Sequence, residues 1–199
     1  LRDLSSDIEW AKVSQLTPAE ILTGAHMARR DWSIEVRDVS RIYAAYDDLL
    51  TRRGRLDFED VLLVTVGALQ SRPDIADEVR KAYRWFTVDE FQDVNPLQHR
   101  LLDLWRGDRD DVCVVGDVSQ TIYSFTGATS TYLLDFPKAF PGATEVRLIN
   151  CYRCSGPIVD LANSVIAQAP TKATLRLQAV AAQGGTPTVE AFTDDVNEA

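Results

Sequence analysis

The sequence has no run of about 18 consecutive apolar residues, which excludes a membrane-spanning helix. It opens on Leu1-Arg2-Asp3-Leu4 rather than a basic segment followed by an apolar stretch, so no secretory signal is read there. No initiator Met stands first, and the expectation is a piece of a longer protein. Cysteine is scarce, with Cys113, Cys151 and Cys154 the three present. That usage points to a reducing compartment, and the cytoplasm is the expected location. Cys151 and Cys154 have the spacing of a metal or redox pair, but no second pair completes a zinc site. Basic charge is in deficit, 21 Lys and Arg against 30 Asp and Glu, for a net charge of −9. A broad DNA-coating surface is thereby excluded, because neutralising phosphates needs clustered Lys and Arg. A narrow strand-binding channel that relies on aromatic stacking is still allowed. The small clusters Arg29-Arg30, Arg52-Arg53 with Arg55, and Arg80-Lys81 with Arg84 read as solvated helix ends. There is no internal repeat and no low-complexity segment. What is present is 45% apolar residues in a chain of 199, enough for a packed core in one domain or parts of two.

The first 55 or so residues read as helical. Thr17-Pro18-Ala19-Glu20 combines a capping hydroxyl, a first-turn Pro and a Glu at the third position, with Ile21, Leu22, Ala25 and Ala28 on one face. Ile42, Tyr46, Leu49 and Leu50 repeat at helical spacing before Gly54 stops the helix. Asp57 is positioned to cap a helix with the face Phe58, Val61, Leu62, Thr65 and Leu69, which Pro73 breaks. A short helix is expected from Asp74 to Tyr83. No strand-like run precedes Phe86.

From there strands and helices alternate, and three strands end alike. Arg84–Val88 runs into Asp89-Glu90-Phe91-Gln92-Asp93. Val112–Val115 runs into Gly116-Asp117-Val118-Ser119-Gln120. Glu145–Ile149 runs into Asn150-Cys151-Tyr152-Arg153. Between them, Asn95-Pro96 opens a helix with the stripe Leu97, Leu101, Leu104 and Trp105, and another is expected near Thr131 to Ala139. Ser155-Gly156-Pro157 opens a last helix with the stripe Ile158, Leu161, Ala162, Val165 and Ile166. The stretch from Ala169 to Pro187 reads as a connection, and Thr188–Phe192 as the start of a strand. In open parallel α/β sheets, ligands bind outside the carboxyl ends of the strands. The pattern therefore lines up carboxylates, an amide and a guanidinium along one edge, the parts of a nucleoside-triphosphate site.

Each part has its own chemistry. Of the adjacent carboxylates Asp89 and Glu90, one can hold Mg²⁺ and the other can orient or deprotonate a water. A bare Asp-Glu pair is ordinarily a solvated turn, and Gln92 and Asp93 in the same turn tip the reading toward function. Gly116 permits a tight exit from its strand. The Gln120 amide can bond a terminal phosphate oxygen and lose that bond on hydrolysis. Tyr123 and Phe125, just beyond, are placed to stack on bases, although a lone aromatic is more often core. Arg153 can stabilise charge on a transferring phosphoryl group, and Tyr152 can stack on a nucleotide base.

Asp-Glu-Phe-Gln-Asp, then Gly-Asp-x-x-Gln-x-Ile-Tyr-x-Phe-x-Gly-Ala, then Tyr-Arg, in this order and spacing, resembles motifs II, III and IV of the UvrD/Rep/PcrA family of superfamily I DNA helicases. Arg55–Leu63 resembles the family's Asp-Phe-x-Asp-Leu-Leu element, and the match is good over roughly residues 40 to 168. The resemblance implies a RecA-like (P-loop NTPase) α/β fold, a parallel sheet with flanking helices, here incomplete and preceded by a helical segment. It implies that residues 1–54 are the tail of the 1B insertion, 55–148 the second part of RecA-like domain 1A, and 149–199 the start of domain 2A. It implies ATP and Mg²⁺ as cofactors, with Asp89 on the metal, Glu90 as catalytic base, Gln120 on the γ-phosphate and Arg153 as arginine finger. Tyr152 would stack on adenine, and Tyr123 and Phe125 would meet single-stranded DNA. The implied activity is ATP-driven unwinding of DNA, 3′ to 5′, in repair or replication.

The sequence departs from that pattern in three places. Cys151 stands where the family usually has Asn, and Thr126 where many members have Arg. No Gly-x-x-x-x-Gly-Lys-Thr/Ser loop occurs. The expectation is thus a middle slice of a longer helicase, inactive alone. Its partners would be single-stranded and duplex DNA, the remainder of the helicase chain and, through exposed sheet edges, a second copy of itself. No membrane partner is expected. Two other readings are a helicase–nuclease subunit of the same superfamily and a non-catalytic module that binds single-stranded DNA or protein.

Overall fold

A computed structural model of the chain describes residues 2–28, 30, 32–169, 175–181, 184–185, 187–188 and 190–193. Contacts divide it into two units, Leu1–Pro141 and Gly142–Ala199.

The first unit begins with five helices: α1 (Arg2–Val13), α2 (Ile21–Ala28), α3 (Val36–Arg53), α4 (Phe58–Ser71) and α5 (Pro73–Ala82). Local chemistry sets their ends. The helix expected from Thr17 starts later, at Ile21. The Glu20 carboxylate instead folds back onto the Thr17 N–H (2.9 Å) and hydroxyl (2.7 Å), holding residues 18–20 in a turn. The side chains of Ala25 and Ala28 lie outside the described residues. Gly54 ends α3 in a left-handed conformation (φ 58°) that a side chain would strain. Asp57 and Asp60 form a reciprocal capping box on α4. Pro73 is the first residue of α5, where its missing N–H costs nothing.

Two clusters make the core of this unit. Ala11, Ile21, Val39 and Tyr43 join α1, α2 and α3. Val13, Val66, Leu69, Ala76, Leu97 and Leu101 join α1, α4, α5 and α6 (Pro96–Arg106). The buried face of α3 is rotated from the one read by periodicity, and that of α4 keeps only Leu62 and Leu69 of the expected stripe. On α3 Val39 and Tyr43 are buried while Ile42 and Leu49 are exposed; on α4 Val66 and Leu69 are buried while Phe58 and Val61 are exposed. On α6 the expected stripe is the buried one.

Strands β1 (Phe86–Val88) and β2 (Val112–Val114) pair in parallel, Phe86 opposite Val112 and Val88 opposite Val114. Phe86, Val88, Val112 and Val114 are half-buried, and Phe86 stacks on Trp105 of α6. Thr87 and Cys113, on the other face, are exposed. Helix α7 (Thr131–Ala139) packs Phe136 edge-on to Phe91, just past the end of β1.

In the second unit the strand expected over Glu145–Ile149 is instead β3, Asn150–Ser155. Its partner is β4, Gln178–Ala181, inside the stretch read as a connection. Residues 143–149 are exposed and unpaired in regular structure, so their alternating pattern has no partner strand among the described residues. Helix α8 (Gly156–Ile166) buries Val159, while Ile158, Leu161 and Val165 of the expected stripe are exposed. The strand expected over Thr188–Phe192 includes Val189, outside the described residues; the described ones form no strand. Among the described residues, no helix is long and apolar enough to cross a membrane.

Candidate active site

Because β1 and β2 are parallel, their carboxyl ends share one edge. Val115 N–H donates to Val88 O and Phe91 N–H to Val115 O, each at 2.8 Å, joining the two exits. Asp89 and Glu90 leave β1 there, and Gly116 and Asp117 leave β2. Gln120 closes the 3₁₀ turn Val118–Gln120 that follows, its amide donating to Asp117 Oδ2 at 3.0 Å. Asp89, Glu90 and Gln120 are therefore together at this edge and exposed.

Glu90 has φ 51° and ψ 40°, a left-handed conformation that costs a residue with a Cβ about 1–2 kcal/mol. The neighbouring side chains hold it there. Glu90 N–H donates to Asp89 Oδ1 at 2.9 Å, and Glu90 Oε2 accepts from the Gln92 amide at 2.8 Å. Gln92 is fully buried, and its Oε1 accepts the Asp117 N–H at 3.0 Å. A strained residue held by an interior amide is the kind of outlier that collects at functional sites.

Sequence reading placed Gln92 in the turn but gave it no role; its side chain adds a tie between the two strand exits. Gly116 is needed for that tie and not for a turn, since its φ is not positive. A Cβ at Gly116 would lie 2.6 Å from Gln92 Oε1 and 2.9 Å from Leu133 Cδ2. We expect Gly116→Ala to push Gln92 off Glu90 and to cost about 1–3 kcal/mol of stability, the range for overpacking a filled site. A urea-unfolding midpoint equal to that of the unsubstituted protein would show that the tie is dispensable.

The donor set suits a hard cation. Among the described residues, Asp89 Oδ2 and Glu90 Oε1 accept no hydrogen bond and no ion pair engages either side chain. No group of three or more His, Cys, Asp or Glu among the described residues cages a metal. Mg²⁺ is ordinarily held by one or two carboxylates completed by phosphates and water, which an exposed pair at a strand end provides. A cavity of about 470 Å³ is lined by both carboxylates, Asp93, Gln98, Leu101 and Trp105.

Tyr123 precedes the 3₁₀ turn Ser124–Thr126 and Phe125 lies within it; both are exposed, not core, with ring centroids 6.2 Å apart. Two anchors hold this loop. Asp93 Oδ1 accepts the Ile122 N–H at 3.3 Å, tying it to the carboxylate turn. From the helical segment, Arg30 donates to the Phe125 carbonyl at 2.8 Å and Ser6 to the same oxygen at 3.2 Å. Arg30 is itself fixed by the buried Asp7 (3.0 and 3.2 Å) and lies over the Trp10 and Trp32 rings. Asp7 also accepts from the Ser33 N–H and hydroxyl. Arg30 read as a solvated helix end; its partner is 95 residues away, beyond any sequence pattern.

In the second unit, Tyr152 and Arg153 are exposed on an irregularity of β3. Cys151 pairs with Ala179 and Ser155 with Ala181, so Tyr152, Arg153 and Cys154 oppose Val180 alone.

Residues 2–141 match the model of the UvrD/REP helicase N-terminal domain. The chain is similar to the "ATP-dependent DNA helicase UvrD2" of Mycobacterium tuberculosis (strain ATCC 25618 / H37Rv), 44% identical over 205 aligned residues, which take in 100% of this chain and 29% of the relative. It is similar to the "ATP-dependent DNA helicase PcrA" of Leuconostoc citreum, 33% identical over 165 residues, 83% of this chain and 21% of that protein. The "ATP-dependent DNA helicase UvrD1" of Mycobacterium leprae (strain TN) is 38% identical over 142 residues, 66% of this chain and 18% of that one. The chain thus spans less than a third of the length of these relatives.

Proposed function

We propose, from the premise that this chain belongs to the UvrD/REP helicase family, that it is the middle of an ATP-driven DNA helicase. The observation that carries the reading is the common edge of Asp89, Glu90 and Gln120, with Glu90 held in a left-handed conformation by Gln92. Residues 1–54 would end the 1B insertion, 55–148 complete domain 1A and 149–199 begin domain 2A. The exposed face and open edges of the β1–β2 pair favour this, because parallel strands are normally covered on both faces. The rest of the helicase chain would supply the cover and the phosphate loop. The isolated chain would be inactive and would self-associate through those edges; a clean monomer on sizing would count against the latter.

Bound Mg²⁺ would neutralise charge on the triphosphate, with Asp89 as its protein ligand. Glu90 would take the proton from the attacking water through Oε1, the oxygen Gln92 leaves free. Gln120 would exchange its bond to Asp117 for one to the γ-phosphate, and so report the nucleotide state to the loop three residues on. Tyr152 would stack on adenine, and Arg153 would meet the charge that develops on the transferring group. Tyr123 and Phe125 would stack on single-stranded DNA bases, each worth roughly 1–3 kcal/mol. The setting is cytoplasmic DNA repair or replication.

The test is ATP hydrolysis and strand separation by the full-length protein on a duplex with a 3′ single-stranded tail. Single-stranded DNA is expected to stimulate turnover. Replacing Tyr123 and Phe125 by Ala should raise the DNA concentration for half-maximal stimulation by roughly tenfold or more, given the stacking energies. Arg30→Met should shift it in the same direction by less, with DNA-free turnover unchanged. A 5′ tail serving as well as a 3′ tail would remove the polarity, and absence of DNA stimulation would remove the motor.

A further inference from the structure

The two thiols of the second unit flank Tyr152 and Arg153. From the pair Cys151–Ala179 to the pair Ser155–Ala181, β3 advances four residues while β4 advances two. In a regular strand, residues three apart lie about 10 Å from each other. A disulfide needs Cα atoms within about 7 Å. The bulge compresses the four steps from Cys151 to Ser155 into the advance of two residues of β4, about 7 Å, which brings Cys154 back toward Cys151. Hydrogen bonding from the Cys154 N–H first, and then from the Arg153 N–H, lowers the Cys151 pKa, and the Arg153 guanidinium adds to the effect. Low thiol pKa and partial exposure are what make a cysteine reactive; both residues of the pair are half-buried.

We propose that Cys151 and Cys154 form a reversible redox pair whose oxidation locks the bulge carrying Tyr152 and Arg153 and slows ATP turnover. The functional half rests on the reading of those two residues as nucleotide contacts. The oxidant is hydrogen peroxide. The Cys151 thiolate attacks one peroxide oxygen, the O–O bond breaks and hydroxide leaves, giving a sulfenic acid. The Cys154 thiolate attacks that sulfur, the S–S bond forms and the S–OH oxygen departs as a second hydroxide. The two hydroxides take up the two thiol protons, so two water molecules are formed; two electrons pass from the thiols to the peroxide. A dithiol reverses the step by exchange. In a reducing compartment such a bond is transient, which suits a sensor. Once closed, the ring holds Tyr152 and Arg153 between its two sulfurs. The arginine then loses the freedom to follow a phosphoryl group as the nucleotide site closes.

The experiment treats the full-length protein with hydrogen peroxide, blocks the remaining thiols and digests it for mass spectrometry. DNA-stimulated ATP turnover is measured before oxidation, after it and after dithiothreitol. The peptide containing both cysteines is expected to lose two hydrogens. Turnover is expected to fall by about tenfold or more, as when an arginine finger is withdrawn, and to recover on reduction. Cys154→Ser should keep its turnover through oxidation, and Cys113→Ser should behave as the unsubstituted protein does. The proposal is overturned by a pair that stays reduced, by a disulfide-bonded protein with undiminished turnover, or by a loss that Cys154→Ser does not prevent. If the reduced protein hydrolyses no ATP, the nucleotide reading fails instead, and the redox pair stands or falls on the mass measurement.

Discussion

Glu90→Gln in the full-length protein is expected to lower ATP turnover by roughly a hundred- to ten-thousandfold, the range that a general base contributes, while Mg-ATP still binds. The substitution keeps the shape of the side chain. It also leaves an amide oxygen able to accept the Gln92 hydrogen bond, so the left-handed turn and the tie to Asp117 survive. What disappears is the capacity to take a proton through the uncommitted oxygen. Asp89→Asn differs in kind: it removes the proposed metal ligand, so it should weaken Mg-dependent nucleotide binding as well as turnover. Single-turnover hydrolysis alongside equilibrium nucleotide titration separates the two. Undiminished hydrolysis by Glu90→Gln would take away the base assignment, and loss of nucleotide binding would mean that Glu90 holds the metal.

The edge that gathers Asp89, Glu90 and Gln120 was legible in the sequence because short apolar strands announce their own ends. The run Phe86–Val88 can only expose Asp89 and Glu90 at its exit, and the same holds for β2 and Gly116-Asp117. Caps were legible for a similar reason: Asp57 with Asp60 and Asn95 with Gln98 are interactions three residues apart. Which face of α3 is buried was not legible, and on α4 only Leu62 and Leu69 of the expected stripe reach the core. Both helices are apolar over more than one face, and the choice belongs to what packs on them: α1 and α2 on α3, and α1, α5 and α6 on α4. The third strand was misplaced because Glu145–Ile149 has the stronger β pattern, yet β4 pairs with the polar stretch after it. The clamp of Arg30 on Phe125 was beyond reach, since nothing local in Arg29-Arg30 distinguishes a tertiary anchor from a solvated helix end.

Lys12→Met should cost roughly 3–5 kcal/mol of stability, the range for removing one partner of a buried ion pair, although Lys12 touches no proposed catalytic group. Lys12 is 1% exposed, and its ammonium bonds Asp57 at 2.7 Å and Asp60 at 2.6 Å, with Asp47 at 3.5 Å. Tyr46 donates its hydroxyl to Asp57 and places its ring 5.1 Å from the ammonium. One cation thus serves three carboxylates drawn from α3 and the cap of α4. Burial alone would lower the Lys12 pKa; the bonds and charges of Asp57 and Asp60 outweigh it and raise the value. The ammonium therefore contributes its stability at every pH below the ordinary lysine value. Burial tends to raise the Asp57 pKa, but the Lys12 bond, the Asp60 N–H and the Tyr46 hydroxyl together lower it. Its contribution is present above the ordinary carboxylate value and fades as pH falls through the lower, folded one. Burial moves Asp47 the other way, upward, against the pull of Lys12. It therefore protonates before Asp57 as the solution is acidified, and that protonation favours the folded chain. In Lys12→Met the three carboxylates face one another with no cation, so Asp47 and Asp57, which lose its pull, should protonate more readily. The stability deficit of the variant, measured by urea unfolding, should accordingly be largest near neutrality and shrink toward pH 4. A deficit that does not change with pH would show that the loss comes from packing of the lysine stem rather than from its charge.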